Sequence, residues 1–220
     1  AMTKYNKINV LTICNTILKK DIYKGEYMKK LIIALLCALS ICVCMPAYAA
    51  EIDTYTVVKG DSLWKIAVKY QVGLSEIIAA NPQFENPDLI YPGQKVYVPL
   101  NDEEILSYEE QVINLVNEVR AQYGLNKLTA NWQLSRVARY KSQDMHDNGY
   151  FSHTSPVYGS PFDMIKNFGI SYRTAGENIA RGQRTPQEVM NDWMNSSGHR
   201  ANILNASFTQ IGVGYVSDGN

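Results

Sequence analysis

Two histidines, His153 and His199, sit in runs of small and polar residues, Tyr150-Phe151-Ser152-His153-Thr154-Ser155-Pro156 and Ser197-Gly198-His199-Arg200-Ala201-Asn202-Ile203-Leu204. Between them in the chain lies Ala175-Gly176-Glu177-Asn178-Ile179-Ala180. Imidazoles can move protons near neutral pH, and neutral imidazole also binds divalent metals. Ser152, Thr154, Ser155 and Ser197 are hydroxyls near these histidines, but no spacing signature supports them as nucleophiles. There is no HExxH pattern, no Gly-x-Ser-x-Gly elbow and no Gly-rich phosphate loop. His146 reads as a surface helix residue.

A second set of residues suits recognition rather than reaction. Residues 55 to 100 carry four Lys and four acids, so they exert no net electrostatic pull. Two runs stand out, Gly60-Asp61-Ser62-Leu63-Trp64-Lys65-Ile66-Ala67 and Asn86-Pro87-Asp88-Leu89-Ile90-Tyr91-Pro92-Gly93-Gln94.

The elements that must position these runs follow from spacing. Tyr55–Lys59 is a β-branched, aromatic strand, and Ser62 caps a helix whose inner face carries Leu63, Ile66 and Ala67. Ser75 caps a second helix through Ala80, with Ile77 and Ile78 inward, and Lys95–Pro99 forms the returning strand. Two strands are not stable alone, so they pair across the helices. This βααβ unit, with its two runs, resembles a LysM domain over residues 55–100, and Asn86-Pro87-Asp88-Leu89-Ile90 resembles the LysM of spore-coat assembly proteins. The resemblance implies binding to N-acetylglucosamine polymers such as peptidoglycan or chitin. It places Gly60, Asp61, Ser62 and Leu63 on one wall of a groove and Pro87, Asp88, Leu89 and Ile90 on the other. Asp61 and Ser62 can equally be capping residues, and Leu63 and Ile90 can be partly core. Trp64 is expected in the core by the burial habits of tryptophan.

After a polar link, Asn101-Asp102-Glu103-Glu104, Ser107 and Glu110 form a capping box. Val112, Leu115, Val116 and Val119 then recur at helical spacing until Gly124. Further helices are expected over 132–147, from Ser160-Pro161 to Gly169, and from Thr185-Pro186 onward, with a half-buried strand over 210–216. Helices and strands do not alternate regularly, which excludes a doubly wound sheet. The three runs around His153, Glu177 and His199, with Asp192-Trp193-Met194, resemble the CAP (SCP-like) superfamily over residues 107–220. The fold class is therefore α+β in two domains, a LysM module and a CAP three-layer α-β-α sandwich whose final strand is missing from the sequence. In that family a cleft gathers two His and two acids and can hold a divalent metal such as Zn or Ca. His153, Glu177 and His199 match three of the four, and the fourth position holds Asn195-Ser196. Glu177 would act as a base or orient a histidine; the alternative is a polar network of purely structural value.

The first 49 residues differ from the rest. They hold seven Lys against Asp21 and Glu26, which leaves 14 basic and 19 acidic residues beyond them, a net −5 that argues against nucleic acid as a partner. All four cysteines, Cys14, Cys37, Cys42 and Cys44, also precede residue 50, so the folded part has no thiol nucleophile, thiolate metal site or disulfide. Met28-Lys29-Lys30, the apolar run Leu31–Met45 and Pro46-Ala47-Tyr48-Ala49 read as a signal peptide over 28–49 cleaved after Ala49, with no stable membrane span after cleavage. Residues 1–27 are expected to be a disordered, untranslated leader, because Lys24-Gly25-Glu26 is the translation expected of codons that can spell a purine-rich ribosome-binding site. Asp218-Gly219-Asn220 is a turn without a returning strand, so the chain reads as a fragment.

The expected protein is secreted, at the cell wall or spore surface, binding glycan through LysM and presenting a CAP domain, with wall or spore-coat proteins as further partners. A fold does not establish chemistry, so a non-enzymatic role is favoured. Two alternatives remain: a metal-dependent wall hydrolase centred on His153, Glu177 and His199, and a spore-coat assembly factor.

Overall fold

The computed structural model describes residues 7–14 and 51–217. The expected signal peptide lies outside these residues, as does most of the expected leader; the exception is β1 (Lys7–Cys14), which is not disordered but pairs into a sheet and so puts Cys14 in the folded part.

In the first domain, β2 (Ile52–Thr56) and β3 (Lys95–Pro99) pair antiparallel, Ile52 opposite Pro99 and Thr56 opposite Lys95. Between them run α1 (Leu63–Tyr70) and α2 (Leu74–Ala80). Ser62 caps α1 by accepting from the Lys65 amide, and Gln71 closes it in the left-handed region at φ 54°. Gly73, not Ser75, occupies the cap of α2. Leu63, Ile66, Ala67, Ile77, Val96 and Val98 form the core, whereas Ile78, expected inward, is exposed. Asn81 stitches the helices to the sheet. Its buried side chain donates to the Ile77 and Tyr97 carbonyls and accepts from the Tyr97 amide.

The second domain holds α3 (Glu103–Gln122), β4 (Thr129–Ala130), α4 (Trp132–Asp147), α5 (Pro161–Asn167), β5 (Thr174–Arg181), α6 (Pro186–Asn195), α7 (Ser197–Ile203) and β6 (Gln210–Val216). Helix α3 starts before the expected capping box, because Asp102 accepts from the Glu104 and Ile105 amides and draws the acidic link into the first turn. The sheet order is β4-β6-β1-β5, with β1 antiparallel to both neighbours and β4 parallel to β6.

Helices α4 and α5 pack on one side of the sheet, and α3, α6 and α7 on the other. This gives the three layers. Strand β6 is buried throughout its middle rather than half-buried, and its glycines explain why. Ile211, Val213 and Tyr215 join the cluster of α3 and α6, while Gly212 and Gly214 face α4. A Cβ on Gly212 would meet the Leu134 backbone at 2.3 Å, and one on Gly214 the Arg139 amide at 2.1 Å. The helix therefore lies directly on the strand. Arg120 is fully buried and donates to the carbonyls of Asn126, Ile203, Asn205 and Phe208, tying α3 to the loop that feeds β6.

Candidate functional site

Strand β5 carries Glu177 at its buried centre, with the carboxylate side chain only 3% exposed. The loop after α4 brings His153 over it, so that His153 Nδ1 lies 2.7 Å from Glu177 Oε1 while 53% of the imidazole side chain stays exposed. A carboxylate accepts, so Nδ1 carries the shared proton and Nε2 is left as the acceptor nitrogen of the neutral ring. The Glu177 bond holds the His153 pKa above 6.5 against the opposing effect of partial burial.

His199 is placed by α7 and shares this field. Its pKa is lowered, first by burial and then by the charge of His153. Its ring lies 6.4 Å from that of Trp193 in α6. Two asparagines fix the segment: Asn178 donates to the His199 carbonyl, and Asn202 donates to the Glu177 carbonyl and to the Asn178 side chain.

The loop under His153 is held equally firmly. Buried Lys141 donates to the His153 carbonyl at 2.8 Å, and burial pushes its ammonium pKa down. Asp144 accepts from Ser155 Oγ at 2.7 Å, from the Tyr150 hydroxyl and from the Asn148 amide group. Ser155 also accepts from the Val157 and Tyr158 amides, which makes it a turn-former rather than a nucleophile. Lys141, Asp144, Asn178 and Asn202 were not singled out from the sequence. Lys141 and Asp144 fall on the inner face of the 132–147 helix, and buried charge at such positions is the signal that could have found them. His146 lies beside Asp147 on the partly exposed face of α4.

In this arrangement His153 and Glu177 are joined by a direct hydrogen bond. Glu177 faces His153, and among the described residues no three His, Cys, Asp or Glu side chains converge as a metal centre requires.

In the first domain the end of β2 is tied to the turn that precedes β3. The Val57 amide donates to the Gln94 carbonyl, and the Gly93 amide to the Val57 carbonyl, both at 2.9 Å. Gly60 is exposed at φ 96°, a conformation that favours glycine. Asp61 is committed to the loop: its carboxylate accepts from the Val58 amide and the Tyr55 hydroxyl, and these bonds lower its pKa. Ser62 is the α1 cap. Leu63 is 2% exposed, so its side chain belongs to the core and not to a wall. On the other side, Asp88 and Leu89 are exposed, while Pro87 and Ile90 are half-buried, Ile90 against the core. Trp64, expected inside, is 48% exposed, because it neighbours the α1 core stripe without belonging to it. Its flat face and that of exposed Tyr91 are open to solvent.

Comparison with known proteins bears on the two domains. Residues 55–99 match the LysM domain profile, and residues 113–220 match that of the cysteine-rich secretory protein family, CAP. The chain carries a LysM domain followed by a CAP domain. The uncharacterized protein YkwD of Bacillus subtilis (strain 168) is 60% identical over 116 residues, 53% of this chain and 45% of YkwD. SpoIVD-associated factor A of the same organism is 58% identical over 45 residues, 20% of this chain and 12% of that protein. An extracellular protein containing an SCP domain from Bacillus anthracis str. Ames, whose crystal structure is known, is similar at 38% identity and a TM-score of 0.50, covering 58% of this chain and 44% of that one. The chain spans less than half the length of each of these relatives. The α-β-α layering of the CAP domain agrees with that structure. Among the described residues no helix is long and apolar enough to cross a membrane.

Proposed function

We propose that this is a secreted protein of the cell wall or spore surface whose LysM domain grips N-acetylglucosamine-containing glycan and whose CAP domain acts as a binding module at that place. The observation that supports it most directly is exposed surface in both LysM loops, Gly60 in the one after β2 and Leu89 in the one before β3. Exposed backbone and apolar surface in a domain without net charge suits sugar chains. Asp61, Ser62 and Leu63 serve this site by shaping the loop, while Gly60, Pro87, Asp88, Leu89 and Ile90 offer contact surface. Trp64 and Tyr91 add aromatic faces beside it.

The relatives fit the setting, since one carries an extracellular SCP domain and another is named for association with a sporulation protein. A role in spore-coat assembly is the second reading, and it would place coat proteins, rather than glycan, on the same LysM domain. Co-sedimentation with purified peptidoglycan and with chitin tests the proposal. Unsubstituted protein pellets with the glycan, and Leu89→Ala reduces the pelleted fraction. Protein that stays in the supernatant with both polymers overturns the proposal.

A further inference from the structure

Glu76 reaches from α2 of the LysM domain to α4 of the CAP domain. Its Oε1 accepts from Arg136 Nε at 2.6 Å and from the Tyr140 hydroxyl at 2.9 Å. Its Oε2 accepts from Arg136 Nη2 at 2.9 Å and from Ser75 Oγ at 2.6 Å. Arg136 Nη2 also donates to Ser75 Oγ at 2.8 Å. This is a two-pronged guanidinium–carboxylate pair, the strongest form such a pair takes. The guanidinium also lies 4.9 Å from the ring centre of Phe168 and 5.2 Å from that of Tyr140, so it is clamped between aromatic side chains and a carboxylate. The two side chains are 21% and 27% exposed, which removes much of the screening that makes surface pairs weak.

The covalent link is just as constrained. Strand β3 ends at Pro99 and α3 begins at Glu103. Leu100 packs on the LysM core and its amide donates to the Glu51 carbonyl at 2.7 Å, while Asp102 caps α3. Only Asn101 stands between residues committed to one domain or the other. Among the described residues, the side-chain hydrogen bonds between the two domains run from Arg136 and Tyr140 to Ser75 and Glu76. A cavity of about 230 Å³ lies beside the pair, bounded by Gly73, Leu100, Arg139 and Tyr140. The polar clamp is therefore a specific tie between the domains besides the chain itself.

We infer that Glu76 and Arg136 lock the LysM and CAP domains into one rigid body, so that the CAP cleft keeps a fixed attitude to the LysM loops. Paired domains with small interfaces move relative to one another by default, and this clamp opposes that tendency. The lock does not depend on glycan binding. Where the proposed function also holds, a wall-bound LysM domain presents His153 and His199 at one angle to the wall.

Backbone ¹⁵N relaxation of the full chain, without glycan, tests the lock. Amides of residues 51–99 and of residues 113–217 are expected to report one shared rotational correlation time. In Arg136→Ala and in Glu76→Ala, the LysM amides are expected to report a time roughly twofold shorter, as for a small domain freed from its neighbour. Both side chains are partly exposed, and retained spectral dispersion would show that both domains stay folded in the variants. Two different times in the unsubstituted protein, or one shared time in both variants, would overturn the inference. Neither outcome bears on whether the LysM loops hold sugar.

Discussion

Glu177 and His153 meet across a boundary between core and solvent: a carboxylate 3% exposed lies 2.7 Å from an imidazole that is 53% exposed. Buried charge orients the ring, and the ring keeps its other nitrogen available outside. His199, more enclosed and facing the charge of His153, is biased the other way.

The two histidines therefore titrate apart. NMR titration should place the His153 pKa above 6.5 and that of His199 below it, and Glu177→Gln should bring His153 down. The linkage signs are opposite. The His153 pair contributes stability that is fully present below pH 6.5 and is lost as pH rises through the folded pKa. His199 instead costs stability at low pH, and that cost disappears as pH rises through 6.5. Coincident titration of the two rings would refute the assigned geometry.

Metal affinity should be low. Because Glu177 faces His153 rather than a shared point with His199, dialysed protein is expected to retain less than stoichiometric Zn by elemental analysis. One tightly held Zn per chain, lost in His153→Ala with His199→Ala, would show that the cleft rearranges into a true metal centre and would favour a hydrolase.

Ser62 separates shaping from contact. As the α1 cap, Ser62→Ala should lower stability by about 1 kcal/mol in chemical denaturation, whereas Ser62→Gly should cost only a few tenths of that. Glycan affinity at temperatures where both variants are folded should change little. A large loss of affinity in Ser62→Gly without a loss of stability would make the hydroxyl a sugar ligand.

The glycines of β6 should resist any side chain. Gly212→Ala and Gly214→Ala each drive a methyl group into α4 backbone that cannot swing aside, and overpacking of this kind costs roughly 1–3 kcal/mol or more. Gly198→Ala, where an added Cβ meets nothing within 4 Å, is the control. Equal denaturation midpoints in all three would contradict the close approach of helix and strand.

Much of this was legible in the residue pattern. The cap at Ser62, the strand Lys95–Pro99, the helix Trp132–Asp147 and the strand Gln210–Val216 follow from local signals: a capping hydroxyl, β-branched alternation and helical spacing. His153 and Glu177 are picked out together by the resemblance to the CAP superfamily, and the fold does bring them together. Features set by distant partners were not legible. Gly212 and Gly214 read as weak points in a strand until α4 is laid across them. Trp64 was assigned inward by residue type, although its position beside the Leu63–Ile66–Ala67 stripe points it outward. Lys7–Cys14 has the β-branched content of a strand, but its pairing with Thr174–Arg181 and Gln210–Val216 spans most of the chain and leaves no local trace. The clamp between Glu76 and Arg136 is equally silent, since each residue alone reads as a surface charge.

The central claim is that the LysM loops hold an amino-sugar chain. Titrating the ¹⁵N-labelled protein with a soluble N-acetylglucosamine oligomer tests it at the level of single residues. Saturable shifts should concentrate on the amides of Gly60–Leu63 and Asp88–Ile90, with the Trp64 indole resonance following, while Ile66, Ile77 and Val98 in the core stay put. Shifts that never saturate, or that fall only outside these two loops, would contradict it.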